Sequence, residues 1–300
     1  MPELPEVETV RAGLARHLLT QPVIDAEFFH PRATRRSPGG ADHILDVLAG
    51  TRLEGVVRRG KYLWWELSDR AEALVIHLGM SGQILIDPRP GMPTHHRRAR
   101  FHIGEHDVWF VDQRTFGHLL ISPLVPTNDG KSAGWGSSAA LIPEVVSHIA
   151  RDPLDEHYDP AATARAIRGR TTSIKRALLD QSLIAGIGNI YADEALWRAR
   201  IHPRRATATM TQRAVLGLLG HVRDVLAEAL AAGGTSFDAL YVDTSGRSGY
   251  FARELNAYGR TGAPCPRCGR PIVRESFANR SSHRCPSCQR LPAPAHLAKC

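Results

Sequence analysis

The most constraining feature of this chain is a pair of cysteine pairs near one end. Cys265 and Cys268 are separated by two residues, as are Cys285 and Cys288, and sixteen residues lie between the pairs. Each C-x-x-C can sit on a tight knuckle, and four thiolates from two knuckles close a tetrahedron, the geometry of a structural zinc site. Pro266, Gly269, Pro271 and Pro286 suit turns, and the segment has few apolar residues for a core. Zinc therefore supplies the folding energy such a module lacks, on the order of 10 kcal/mol. The competing reading, two disulfides, requires an oxidising compartment. The opening MPELPEVE lacks the basic-then-apolar order of a secretory signal, so one Zn2+ in a cytoplasmic protein is the expectation. Cys300 is left over as an inert thiol.

Charge concentrates at the same end. The net charge is +8. From Tyr241 onward ten Arg/Lys face three acids, so +7 of it falls in the last sixty residues. A cationic tail on a near-neutral body points to a polyanionic partner, nucleic acid first. No apolar run reaches the roughly 18 residues of a membrane span.

The remaining 240 residues change period once. Pro5–Leu19 reads as a helix, with Val7, Val10, Leu14 and Leu18 on one stripe. Eight β-rich runs follow: Val23–Phe29, Arg52–Val57, Tyr62–Leu67, Ala73–His77, Gln83–Ile86, Arg100–Ile103, Val108–Val111 and His118–Ile121. Their spacing predicts an antiparallel sandwich or barrel. Pro123–Ser138 reads as a linker. Beyond it the period is helical over Asp159–Arg168, Ser173–Gln181, Ile190–Arg200 and Thr211–Ala231, and Gly233-Gly234 ends the last helix. Tyr241–Tyr250 reads as a mobile loop. The expected class is α+β: a sandwich domain over 1–130, a helical domain over 131–240, a loop and connector over 241–261, a zinc finger over 262–290 and a tail.

Candidate chemistry lies at Pro2. With Met1 removed, Pro2 presents a secondary amine, and an α-amino group near pKa ~7.7–8.0 is roughly a tenth unprotonated at neutral pH. Such an amine is a nucleophile toward an electrophilic sugar carbon, and its ring-opened adduct is an iminium electron sink. Glu3 can serve as acid or base beside it. Lys61, one of four lysines, follows Gly60 at the mouth of an aromatic strand, where a cation can meet phosphate or move a proton. Gly186-Ile187-Gly188-Asn189 precedes a helix, a place for an anion. Met80, and Arg114 with Phe116, fall in inter-strand loops and either wedge into a base stack or belong to the core.

Together these residues resemble one family, the bacterial formamidopyrimidine-DNA glycosylases, related to endonuclease VIII. The resemblance rests on Met1–Glu8, Arg59–Leu63, His77–Gly82, Asp112–Gly117, Ala185–Leu196, Gly246–Phe251 and the cysteine pattern; Leu4 favours the formamidopyrimidine branch. It implies a bifunctional base-excision enzyme removing oxidised purines from duplex DNA, with a helix–two-turn–helix domain and DNA in the cleft between domains. Pro2 would attack C1′ of the everted nucleotide, and Glu3 would be its acid/base partner. Lys61 would protonate in β-elimination, and Arg280 would serve δ-elimination and grip phosphate. Met80, Arg114 and Phe116 would fill the vacated stack. His96, Arg170, Lys175, Asn189 and Tyr258 would hold the DNA backbone, His77 would also bind DNA, and the Tyr241–Tyr250 loop would cover the lesion. The partner is then damaged double-stranded DNA, with no membrane, bound by a monomer near the nucleoid. The departures are Thr94–Arg98, where the family's His-x-His is absent, a long 126–140 segment, Arg247 in the loop, and the 290–300 tail. An endonuclease VIII-like pyrimidine glycosylase and a catalytically silent lesion-binding protein are the alternatives.

Overall fold

The computed structural model describes residues 2–88, 94–234, 244–245 and 251–298. The expected lesion loop, with Arg247, lies outside the described residues except for Thr244 and Ser245. The chain divides into two compact units, residues 1–148 with 230–250, and residues 149–229 with 251–300.

The first unit is a two-sheet sandwich carrying two helices. Helix α1 (Leu4–Leu18) begins at a reciprocal capping box, in which the Glu3 N–H donates to the Glu6 carboxylate at 2.8 Å. It buries Leu4 together with Val7, Val10, Leu14 and Leu18, the last four being the stripe legible in the sequence. Strand β1 (Val23–Phe28) is followed by α2 (Gly40–Leu48) and then by β2 (Leu53–Arg59), β3 (Tyr62–Leu67), β4 (Glu72–His77) and β5 (Gly82–Ile86). After them run β6 (Arg97–Ile103), β7 (His106–Asp112), β8 (His118–Pro126) and β9 (Leu141–Pro143). One antiparallel sheet has the order β1-β6-β7-β5 and the other β2-β3-β4-β8-β9. Alternating residues of both sheets, including Val56, Trp65, Leu74, Phe101 and Phe110, share one core with α1 and α2.

Two expectations are corrected here. Helix α2 has no counterpart among the elements expected from the sequence; it is short and opens on two left-handed glycines, the cap Gly39 and its first residue Gly40. Only the burial of Ile44, Val47 and Leu48 shows which face counts. Residues 123–138 are not a loose linker. Strand β8 continues to Pro126, and Trp135 exchanges two backbone hydrogen bonds with Arg58 at 2.9 and 3.0 Å. A Cβ on Gly134 would lie 2.3 Å from the Arg58 carbonyl oxygen, so only glycine allows that approach.

The second unit holds α3 (Pro160–Arg168), α4 (Ile174–Leu179), α5 (Asn189–Arg198) and α6 (Gln212–Ala231), each inside or close to its predicted span. Asp159 caps α3 by accepting the Ala161 and Ala162 N–H groups at 2.8 and 2.9 Å. A bidentate Arg198–Glu228 pair at 2.7 and 2.6 Å joins α5 to α6. The hairpin β10 (Val273–Phe277) and β11 (Arg280–Arg284) spans the gap between the cysteine pairs, with Phe277 opposite Arg280. Residues 296–298, left without a role by the sequence, bond back to 204–206: Ala206 N–H donates to the His296 carbonyl at 2.8 Å.

Candidate active site and metal centre

Pro2 and Glu3 lie at the N-terminus of α1 and are buried, Glu3 to 2 % exposure. Lys61, at 7 %, occupies the two-residue turn joining β2 to β3. One buried cation ties these two places together. Arg58, on β2, donates from Nε to Glu8 of α1 at 2.8 Å and from Nη1 to the Gly60 carbonyl at 3.2 Å. Glu8 also accepts from Arg11 Nε at 2.8 Å. The helix bearing Pro2 and the turn bearing Lys61 are thus braced by one guanidinium with no solvent access. Sequence reasoning missed Glu8 and Arg58, because nothing local distinguishes a buried ion pair from two surface charges.

Behind the turn stand two histidines. His77 closes β4 and packs on the Tyr62 ring, centroids 4.8 Å apart; its other face stacks on His118 at 5.2 Å. His77 Nδ1 accepts the Gly79 N–H at 3.1 Å, which leaves Nε2 as the protonated nitrogen of the neutral ring. Burial, then Lys61, Arg36 and Arg35, push its pKa down to about 4. Burial and His77 push His118 to about 3. Both rings are therefore neutral donors at physiological pH.

Met80, Arg114 and Phe116 are brought together on two touching loops. A Cβ on Gly79 (φ 64°) would meet Gly117 N at 2.5 Å, so the loops approach backbone to backbone. Buried Asp112 folds the second loop, accepting from Ser81 Oγ at 2.5 Å, Arg114 N at 3.2 Å and Gly117 N at 2.7 Å. Arg35 donates to the Phe116 and Gly117 carbonyls, both at 2.9 Å. Met80 remains 38 % and Phe116 48 % exposed, with the Arg114 guanidinium 5.2 Å from the Phe116 ring. The core reading of these residues is excluded. His96 sits half-buried on the 3-10 turn Thr94–His96.

In the second unit, Arg170 and Arg280 are exposed and line one cavity of about 620 Å3 with Arg176 and Asn279. Lys175 is different. Its ammonium has no solvent access and donates to Asp193 at 2.6 Å and to the Ser281 carbonyl at 3.0 Å, an oxygen that Asn189 Nδ2 also reaches at 3.0 Å. Asp193 further accepts from Ser282 Oγ and the His283 N–H. The expectation that Lys175 offers its charge to phosphate thus meets a buried ammonium, because α5 supplies a carboxylate opposite it. Neighbouring Glu194, 1 % exposed, accepts the backbone N–H groups of Asn256, Ala257 and Tyr258 at 3.0, 2.8 and 2.8 Å. Burial pushes the Glu194 carboxyl up, and those three bonds oppose the shift. Tyr258 is fixed by this clamp and by an edge-on contact with His283 at 4.8 Å.

The four cysteine sulfurs lie within 4.8 Å of one another. A tetrahedral zinc with ~2.3 Å bonds separates sulfurs by about 3.8 Å, so the donor set fits. The knuckles are built for it: Gly269 N–H donates to the Cys265 carbonyl at 2.9 Å, and buried Gln289 accepts the Cys285 N–H at 2.9 Å. Trp197 Nε1 donates to Cys265 Sγ at 3.4 Å. The apolar cluster here comprises Trp197, Ala257, Ile272, Cys265 and Cys285, with Cys288 packed against it. So small a core needs the metal, and these thiolates hold one structural zinc.

Three family profiles match in sequence order: the formamidopyrimidine-DNA glycosylase N-terminal domain over residues 1–119, its H2TH domain over 149–240, and a zinc finger found in FPG and IleRS over 262–291. The chain belongs to the formamidopyrimidine-DNA glycosylase family. It is 53 % identical over 297 residues to the formamidopyrimidine-DNA glycosylase of Salinispora arenicola, covering 98 % of both chains. It is 54 % identical over 303 residues to that of Rhodococcus jostii, covering 100 % of this chain and 99 % of the relative. Among solved structures it is similar to Lactococcus lactis Fpg in complex with an abasic site containing DNA (TM-score 0.80, 31 % identity, 96 % of this chain and 100 % of the other). It is also similar to the MutM (Fpg) protein of Thermus thermophilus (TM-score 0.79, 34 % identity, 97 % and 100 %). As a member of that family the chain is a DNA glycosylase of base excision repair that acts on oxidised purines, and AP lyase activity is typical of the family. Among the described residues no helix is long and apolar enough to cross a membrane.

Proposed function

We propose that Pro2 is the nucleophile for both base removal and strand cleavage. Its nitrogen bonds to C1′ of the damaged nucleotide as the glycosidic bond breaks and the base leaves with a proton. Glu3 protonates the ring oxygen as the sugar opens, giving the C1′ iminium. Loss of the C2′ proton then expels the 3′ phosphate, with Lys61 as the proton donor of that β-elimination. A second elimination, served by Arg280, expels the 5′ phosphate, and water hydrolyses the remaining iminium to free the proline. The observation that carries this reading is the Arg58 brace, which couples the Pro2–Glu3 helix start to the Gly60-Lys61 turn.

His77, His96, Arg170, Asn189 and Tyr258 are proposed to hold the DNA backbone, with His77 donating from Nε2. Met80, Arg114 and Phe116 fill the stack; their exposure beside one another supports this. Lys175 is proposed to act from beneath, holding the Ser281 carbonyl and so the strand that begins at Arg280. The enzyme is proposed to work as a monomer in the cytoplasm, at the nucleoid. Borohydride trapping on an 8-oxoguanine duplex, followed by mass spectrometry of the linked peptide, tests the mechanism. The expected adduct is on Pro2 with Met1 absent; a cross-link on Lys61 or Lys175 overturns it.

A further inference from the structure

The second unit contains another cationic cavity, whose residues have no part in the mechanism above. Its volume is about 210 Å3, and Arg200, Arg205 and Arg290 line it with His202 and Thr211. No aspartate or glutamate among the described residues lines it. Three arginines lining one small space bring positive charge to it that an anion would neutralise. Thr211 also marks the start of α6, a 20-residue helix; its Oγ1 accepts the Ala214 N–H at 3.2 Å, so the positive end of the helix dipole adds to the same space.

An independent observation points to a ligand. His202 is 97 % buried, being 3 % exposed. Its Nδ1 accepts the Arg204 N–H at 3.1 Å, which assigns the ring proton to Nε2. That Nε2 has no hydrogen-bond partner, and neither does Arg205 Nε. Native structures rarely leave buried donors unanswered. Burial and then Arg284 favour the neutral ring against the opposing pull of Glu275, so the free group is a donor seeking an acceptor.

We propose that this cavity binds a phosphate-sized tetrahedral oxyanion. Arg200, Arg205 and Arg290 would supply the charge-assisted bonds and His202 a neutral donor. A site this small is below the usual range for a whole nucleotide ligand. The same chemistry has two sources, inorganic phosphate and a phosphate of the DNA backbone.

The test uses the zinc-loaded full chain and isothermal titration with inorganic phosphate, chloride being exchanged so that ionic strength is constant. The expected result is saturable binding that weakens roughly tenfold or more in R200E/R290E and persists in R280A, whose side chain lines the other cavity. Should the double variant fail to fold, the exposed single substitution Arg200→Gln gives a smaller loss of the same kind. Absence of saturable phosphate binding, or its loss in R280A with retention in R200E/R290E, overturns the proposal. Salt titration of duplex binding separates the sources. A slope of log affinity against log salt reduced by about one in R200E/R290E assigns the anion to DNA, and an unchanged slope assigns it to inorganic phosphate.

Discussion

Glu8→Gln keeps the shape of the Glu8 side chain and removes its charge. The Arg58 guanidinium, with no solvent access and its Nε 2.8 Å from Glu8, then loses the charge of that partner. Breaking a buried pair from one side costs about 3–5 kcal/mol, a large part of the ~5–15 kcal/mol that holds a domain folded. For a unit of this size each kcal/mol moves the midpoint by about 2–4 °C, so the first unit should melt roughly 6–20 °C lower. The chemistry should suffer with it, because the same guanidinium holds the Gly60 carbonyl next to Lys61. Borohydride trapping should slow by more than lesion-duplex affinity falls. E8Q/R58M removes both charges of this pair and should be less destabilised than the two single variants summed, since the fully buried guanidinium leaves with its partner and only the partly exposed Arg11 loses a contact. Calorimetry and trapping rates on the four proteins of this cycle decide it. Strictly additive melting shifts, or E8Q trapping at the parental rate, would refute the brace.

Three further outcomes follow from the same geometry. Stripping zinc with a strong chelator should unfold the finger and abolish tight duplex binding while the first unit keeps its own melting transition, a difference that calorimetry and filter binding will register. The stacked His77–His118 pair should make the first unit acid-sensitive. Their folded pKa values, about 4 and about 3, lie below the unfolded value near 6.5, so the unfolded chain binds more protons in between. Stability is therefore full above ~6.5 and drops as pH falls toward 4, by an amount on the order of a few kcal/mol; H118F should flatten that part of the melting-versus-pH curve. Met80→Ala and Phe116→Ala should leave the melting point within about 1 °C, as both side chains are largely exposed, while slowing excision from an 8-oxoguanine duplex severalfold in single-turnover kinetics.

Much of the architecture is legible in the sequence because it is written in short-range periodicity. The α1 stripe, the aromatic run Tyr62–Leu67 and the α6 run each identify an element from neighbouring residues alone. Strands β6 and β7 run further than the β-rich text suggests, since polar residues there continue the ladder through backbone bonds that side-chain pattern does not encode. Strand β8 runs on through Pro123 and Pro126, which read as turn residues in the sequence. Helix α2 and the folded 127–140 segment are hidden for a similar reason. Their order comes from packing and from bonds to Arg58, remote in sequence.

The candidate site divides along the same line. The C-x-x-C spacing marks the four thiols by itself, whereas Pro2, Glu3 and Lys61 become candidates only through the ordered set of motifs and the family resemblance it carries. What side chains do once charged groups lose water is decided only in three dimensions. Lys175 and Arg280 are both cations in a basic stretch of text, yet one is locked to Asp193 and the other faces solvent. Glu8, Arg58, Asp112, Asp193 and Glu194 look like ordinary surface charges in the sequence. Burial against partners tens of residues away turns them into the supports of the helix start, the wedge loop and the finger, because a charge removed from water must find a fixed counterpart.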